Sequence, residues 1–412
     1  MLSADPPTCW RVPFLRRVEI RDYKSIGYSA VDLGSLTVLV GRNGSGKSNF
    51  VDALRFIADS LQTSLDHAVR SRGIIYGISR RGIRDPRFIV RLDISLPDDK
   101  VATYSIAVGT QMSGHFEIVS ERLQLRSVSG EMLGHYHVFD GKIDESSIGQ
   151  PPPAQRDRLY LVSISGFPEF RPIYEALTAM RFYDFNAEEI RKPRDPDSGA
   201  WLRSDGSNLA SVVARLGREQ PEILSRITQY LSAILPGIIS VEGLPLGPYE
   251  MLRFMQHGSN SAKPQEFFAP SMSDGTLLAL GALVAVSQSL GQGQGTCASL
   301  VAIEEPENSL HPAAAAALMD GLREATEHTQ VIITSHSSDL LDEMDLETDT
   351  LLAVALQDGV TRIAPIDKAS RSVIRDHLYT PGELLRLDQL EPDLEDLTRQ
   401  ESSGFRSGAK GD

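Results

Sequence analysis

Three short stretches hold side chains of the kinds that handle phosphate, metal and water. The first is Gly41-Arg42-Asn43-Gly44-Ser45-Gly46-Lys47-Ser48, followed by Asn49. Its glycines let the backbone turn N–H groups inward as an anion nest, and a helix starting there adds the positive end of its dipole. Lys47 then reaches the β- and γ-phosphates, and the Ser48 hydroxyl faces Mg²⁺. The second is Glu304-Glu305-Pro306-Glu307-Asn308, where an apolar run ends in paired carboxylates. Glu304 would hold the metal through water, and Glu305 would orient or activate the attacking water. The third is Ser335-His336-Ser337, a histidine on the edge where ligands bind in open α/β sheets. Together they point to hydrolysable Mg²⁺-ATP.

Each stretch needs a strand behind it. Leu36 to Val40, Ser299 to Ile303 and Gln330 to Thr334 read as buried strands, and Asn49 to Ile57 as the helix after the phosphate loop. Phe14 to Ile20 reads as a strand before them, and the turn after it holds Tyr23 and Lys24, where a base or ribose contact could sit, although a lone aromatic in a turn more often packs. Ser271-Met272-Ser273-Asp274-Gly275-Thr276 opens an apolar helix, Leu277 to Leu290, so an N–H-rich helix end faces outward toward an anion. Pro312 at N1 starts an alanine-rich helix to about Thr329. Leu351 to Leu356 and Val360 to Ile366 flank Asp358-Gly359 as a hairpin, and a polar tail from about Ser402 is expected to be disordered.

The middle of the chain is less specific. Phe88 to Leu96 and Ala102 to Val108 alternate as strands do, and Phe116 to Val128 adds more. Gly149-Gln150-Pro151-Pro152-Pro153 marks a surface loop or subdomain boundary. Pro168 to Phe182 turns helical, Ser207 suits the N-cap of a helix through Leu216, and a second helix covers Pro221 to Ile234. No heptad pattern is sustained between residues 50 and 270, which excludes a long coiled-coil arm there. Arg70, Arg72, Arg80, Arg81, Arg84, Arg87 and Arg91 form a basic stretch, read as either a solvated face or a phosphate-contacting patch, for DNA or for nucleotide across a dimer interface.

Composition bounds the partners. The 412 residues are 41% hydrophobic, enough for a sizeable core in two or three domains. A net charge of −14 confines any DNA contact to a local patch. Two cysteines, Cys9 and Cys297, give neither a disulfide framework nor a zinc cluster, which fits a reducing cytoplasm. The longest apolar run, Leu277 to Val286, is too short to span a bilayer, so no membrane is expected.

In this order the motifs resemble the ABC-type ATPase heads of the SMC/RecF/OLD superfamily, and within it the stand-alone AAA-family, RecF/SMC N-terminal-domain-like ATPases. Gly41 to Ser48 is similar to Walker A, Ser273-Asp274-Gly275-Thr276 to the signature, Ile303-Glu304-Glu305-Pro306 to Walker B, Asn308 to Pro312 to the D-loop and Thr334-Ser335-His336 to the switch. Val18 to Ile26 and Asp205 to Ala210 also look typical of that group. The resemblance implies an α/β fold: a P-loop NTPase, ABC-type head with mixed sheet and flanking helices, plus an inserted α+β subdomain without long coiled coil. The expected division is 14–66 as N-terminal lobe, 67–200 as a β-rich then mixed insertion, 201–265 as a helical arm or lid, 266–370 as C-terminal lobe and 371–412 as a partly disordered extension.

It also implies two heads that sandwich ATP and Mg²⁺. Gly41 to Asn49 of one subunit would bind ATP while Ser273 and Gly275 of the other contact the γ-phosphate and Ser309 crosses the interface. Lys47, Glu305 and His336 would be catalytic, and Ser48 and Glu304 would hold the metal. The partners implied are a second copy of the chain, DNA, and a separately encoded nuclease or other effector, because the stretch after residue 366 is too short for a Toprim domain. Glu304 stands where many relatives have aspartate, Asp274 where many have glycine and Met272 where they have leucine. The Q-loop glutamine is not placed, with Gln111 the one candidate. Two other readings are a transporter-type ATPase subunit, disfavoured by the long separation of Ser48 from Ser273, and an oligomerisation scaffold without turnover.

Overall fold

The computed structural model describes residues 14–408 except 74, 81, 83–85, 111–115, 258–262 and 289–296. Most strands join one sheet of 13, in the order β8-β7-β6-β5-β4-β1-β2-β16-β15-β3-β14-β13-β9. The chain enters through β1 (Leu15–Tyr23), β2 (Ile26–Asp32) and β3 (Leu36–Val40), then forms α1 (Lys47–Gln62), α2 (Leu65–Arg70) and α3 (Ile75–Ile78). An antiparallel wing follows on the free side of β1: β4 (Phe88–Leu96), β5 (Lys100–Thr110), β6 (Phe116–Ser127), β7 (Met132–Phe139) and β8 (Lys142–Ser146). These strands extend the sheet of the first lobe, so the 67–200 stretch shares a continuous ladder with β1.

After α4 (Tyr160–Ile164) and α5 (Arg171–Thr178), edge strand β9 (Arg181–Tyr183) joins the far end of the sheet. Proline 168 does not start a helix through Phe182, because β9 takes the last residues of that stretch. Next come α6 (Ala187–Arg191), α7 (Leu209–Glu219) and α8 (Pro221–Ile234). The N-cap of α7 is Asn208, whose side chain ties Arg203, Asp197 and Trp201 together, and Ser207 lies one position outside. Residues 201–265 are not helical throughout: β10 (Ile238–Leu246), β11 (Tyr249–His257) and β12 (Pro264–Phe268) make a separate three-stranded antiparallel sheet, its first hairpin turned at Gly247 with φ +63°.

The parallel core is completed by α9 (Asp274–Ser287), β13 (Leu300–Glu304), α10 (Ala315–Ala325), β14 (Gln330–Ser335) and α11 (Ser338–Asp342). A 3-10 turn over Pro312–Ala314 precedes α10, which ends before Thr329. Strands β15 (Thr350–Gln357) and β16 (Val360–Pro365) form the expected hairpin, with β15 parallel to β3. The last described elements are α12 (Lys368–Arg375), α13 (Pro381–Arg386) and α14 (Leu394–Gly408), so residues 402–408 of the segment expected as a disordered tail are helical and residues 409–412 lie outside the described residues. Among the described residues the longest helix is α1, with 16 residues, and none is long and apolar enough to cross a membrane. Cys9 lies outside the described residues.

The central strands separate two cores. Leu39, Leu300, Ala302 and Ile332 face the cluster under α1 and the wing, while Val38, Val40, Val301, Ile303 and Ile333 face the cluster under α7 to α10. Burial on both faces is why β3, β13 and β14 read as continuous apolar runs. Their register aligns Val40 with Ser335 and Glu304 with Thr334, so all three strands end on one edge.

Candidate nucleotide site

The loop after β3 is held from below. Thr361 Oγ1 on β16 donates to Ser45 O at 2.7 Å and contacts Ser25 Oγ at 2.7 Å, and Asn49 Nδ2 donates to Ser25 Oγ at 2.6 Å. Gly41 lies so close to β15 that a Cβ would meet Val354 O at 2.1 Å. Gly46 has φ +107° and caps α1 without any side-chain hydrogen bond, which leaves the helix end to an outside acceptor. Gly44, with φ +78°, and Asn43 are exposed. Lys47 is buried, and its ammonium donates to Gly41 O at 2.7 Å and Arg42 O at 3.2 Å. Burial lowers the Lys47 pKa, against the opposing pull of Glu305, Glu307 and Glu304. Four of the loop's features suit a polyphosphate: the cradle, the open helix end, the cation and the exposed Ser48 hydroxyl.

The carboxylates gather beside it. Burial raises the Glu304 pKa, and Ser48 hydrogen-bonds its carboxylate while the charge of Asp184 adds to the rise. Ser48, Asp184, Glu304, Glu305 and Asn308 line one cavity of about 200 Å³. Its hydroxyl and carboxylate oxygens are the donor set of a hard divalent ion. Glu305 stands at φ +43°, a conformation that costs a non-glycine residue about 1–2 kcal/mol and collects at functional sites. It is held there by Thr334, whose O and Oγ1 accept its N–H at 3.0 and 3.2 Å, and by Asn308 Nδ2, which donates to Oε2 at 2.9 Å. His336 Nδ1 lies 3.3 Å from Glu305 Oε1. The structure thus brings together Lys47, Ser48, Glu304, Glu305 and His336.

Ser273, Gly275 and Ser309 form a second group that does not line this cavity. Ser273 caps α9, accepting from Thr276 N, and is exposed. A Cβ on Gly275 would meet Ser309 O at 2.3 Å, and Ser309, at φ +61°, is exposed beside it. The segment that opens α9 and the one around Ser309 therefore lie side by side. Arg42 pairs with Asp388, and the Asn49 amide donates to Ser25 Oγ.

Other expected contacts fall elsewhere. Tyr23 is a core residue: fully buried, its hydroxyl donates to Asp52 Oδ2 at 2.7 Å and its ring packs edge-on against Phe56 and Phe88. The basic stretch is divided. Arg72 is buried against Asp52 and Asp59, Arg70 pairs with Asp66, Arg80 with Asp22 and Arg91 with Asp93. Arg81, Arg84 and Gln111 lie outside the described residues. Three contributors were missed in the sequence. Asp184 follows a three-residue strand too short to show a period, Thr361 acts across 316 positions of sequence, and Glu307 stood in view without a role. Glu307 is buried, accepts from Ser335 Oγ and His336 N, and leaves Oε2 unpartnered.

Residues 36–342 match the AAA_21 family model, described as "AAA domain, putative AbiEii toxin, Type IV TA system". The chain belongs to this family. Among curated proteins, the DNA replication and repair protein RecF of Agrobacterium fabrum is 30% identical over 130 residues, which cover 30% of this chain and 31% of that protein. The structural maintenance of chromosomes protein 1 of Arabidopsis thaliana is 27% identical over 173 residues, 39% of this chain and 14% of that protein. The chain thus spans less than a third of either relative. An Smc head solved with the C-winged helix domain of ScpA superposes with a TM-score of 0.54 at 15% identity, covering 87% of this chain and 100% of that one. An Smc head with an extended coiled coil, bound to the C-terminal domain of ScpA from Pyrococcus furiosus, gives 0.50 at 12% identity, covering 89% and 99%. Family, relatives and fold make the AAA_21 chain an SMC/RecF-like member of the ABC-type ATPases.

Proposed function

We propose that this chain binds and hydrolyses Mg²⁺-ATP, closes with a second copy around it, and serves as a switch in DNA transactions such as phage defence or DNA repair, with a separately encoded effector. The observation that carries the reading is the convergence of Ser48, Glu304 and Glu305 on one cavity, with the Lys47 ammonium within reach of the carboxylate charges and His336, just past β14, against Glu305. The RecF and SMC names of its relatives motivate the DNA role.

In this reading Gly41 to Lys47 hold the polyphosphate, and Lys47 exchanges its two loop carbonyls for phosphate oxygens. Ser48 and Glu304, with Asp184 lining the same cavity, would hold Mg²⁺, which when bound would supply charge neutralisation to the phosphates. Glu305 takes a proton from water as it attacks, oriented by Asn308 and His336. Ser273 and Ser309 are exposed, with Gly275 buried against the Ser309 carbonyl, an arrangement suited to completing the site of another head. The boundaries given above remain our proposed domain division.

Glu305→Gln is expected to keep ATP binding, to lower turnover by about 10²- to 10⁴-fold, and to accumulate an ATP-bound dimer. Phosphate release, with and without DNA, and size-exclusion mass with ATP measure this. Equal turnover in variant and wild type would overturn the assignment.

A further inference from the structure

The phosphate loop is tied to a part of the chain that the functional reading leaves unused. Arg42 ion-pairs with Asp388, the two side chains 76% and 60% exposed. Asp388 stands just past α13 at φ +58°. α13 itself is built onto α11: Gly382 N donates to Asp342 Oδ1 at 2.8 Å, Arg386 donates to Asp339 Oδ1 at 2.8 Å, and a Cβ on Gly382 would meet Ser338 O at 2.2 Å. α11 begins two residues beyond His336. On the other side, α14 is fixed to the sheet by Gln400, which accepts from Ala30 N and donates to Ile363 O, both at 3.1 Å.

The segment between these anchors therefore runs from the helix behind His336, past the mouth of the phosphate loop, to the sheet. Its link to the loop is a charge pair, made to a residue that the ATP reading assigns to polyphosphate. A carboxylate at that mouth opposes an incoming polyanion, and the polyanion competes for the same guanidinium.

We propose that residues 380–393 form a nucleotide-sensitive strap, latched to the phosphate loop by Arg42 and Asp388 in the nucleotide-free chain and released when polyphosphate claims Arg42. The inference rests on the ATP reading. Released at Asp388, the strap keeps its bonds to Asp339 and Asp342, so it stays with α11 and moves with the segment that carries His336. The coupling is reciprocal: the factor by which nucleotide weakens the latch is the factor by which the latch weakens nucleotide binding. For an exposed pair that factor is about two- to five-fold.

The test measures binding of a fluorescent methylanthraniloyl-ATP with Mg²⁺ to the full chain, in wild type, Asp388→Asn and Glu395→Gln. Glu395 is an exposed acid of the same extension that pairs with Lys368, so its variant carries the same change in net charge. Asp388→Asn is expected to bind about two- to five-fold tighter, and Glu395→Gln as wild type does. Hydrogen exchange follows in parallel at the amides of Asp388 and Gln389, which donate to Leu385 O and Leu384 O. Nucleotide should speed their exchange in wild type, and Asp388→Asn should exchange fast without it. Unchanged or weaker binding in Asp388→Asn, an equal gain in Glu395→Gln, or binding without any change in exchange overturns the strap and leaves the ATP reading standing. No binding by wild type overturns both.

Discussion

From β15 to β9 the sheet is parallel around β3, β14 and β13, whose residues are covered on both faces. From β8 to β2 it is antiparallel, with one face on a core and the other open. The difference decides where polar groups can act. In the parallel half they are excluded from the strands and collect at the ends, where Lys47, Glu304, Glu305 and His336 meet. In the wing they spread along the outer face and pair across strands, as His137 does with Ser120 and Asp144. A polar group that points inward there must be saturated. Glu121 is fully buried and accepts from Tyr104 and Tyr136 hydroxyls and from the Tyr160 and Leu161 N–H groups. On the proposed reading, then, the wing contributes stability and the parallel half carries the chemistry.

The sharpest way to break that contrast is a cavity in the wing. Leu123 on β6 is fully buried, so Leu123→Ala should cost about 2–5 kcal/mol of stability while nucleotide affinity, measured well below the melting temperature, stays as in wild type. A matching loss of affinity would show that the wing is coupled to the site. The converse is Lys47→Ala. Loss of a charged donor to phosphate should cost about 1.5–3 kcal/mol of nucleotide affinity, read by titration, with a melting temperature that shows the sheet intact.

A third test separates the two halves by pH. Burial raises the Glu121 pKa above the ordinary 4.5, despite its four donors. A raised folded pKa means that its contribution to stability is complete below the unfolded value and is lost as pH rises through the folded one. Thermal melts of wild type and Glu121→Gln should therefore diverge with rising pH, wild type losing ground. The groups facing Glu121 are Tyr104, Tyr136 and Tyr160, whose own pKa values are raised by burial, so they stay neutral over that range. Parallel melting curves at every pH would remove Glu121 as the source.

The same contrast governs how much could be read beforehand. Leu36 to Val40, Ser299 to Ile303 and Gln330 to Thr334 are legible because burial on both faces leaves unbroken apolar runs, and polar residues at their ends stand out. The strands over 238–268 are hidden because one of their faces is partly exposed and broken by Gly243, Pro245 and Gly247. Tyr23 reads as packing or a ligand contact because a turn residue gives no sign of its burial, which comes from Phe56 and Phe88 on other elements. Arg72 looked like surface charge because Asp52 and Asp59, its partners, lie on the preceding helix. Thr361 could not be found at all, since its role is a contact made by the sheet order.

Glu307 gives the smallest effect and the finest distinction. Three glutamates, the last residue of β13 and two beyond it, fall within four positions, and sequence alone cannot apportion their roles. Glu305 faces His336 and Asn308 in the cavity, whereas Glu307 is buried behind them, accepting from Ser335 Oγ and His336 N. Burial raises its pKa, opposed by the Ser335 hydrogen bond. An amide at 307 keeps the acceptor for both donors, so Glu307→Gln should change stability by no more than about 1 kcal/mol. Its work is to hold the segment of His336 in place, so turnover should fall by about ten-fold or less, far short of the loss expected for Glu305→Gln. Phosphate release from the two variants side by side reads the difference. If Glu307→Gln stops turnover as completely, while still binding nucleotide, the water-activating role passes to Glu307 and Glu305 becomes its support.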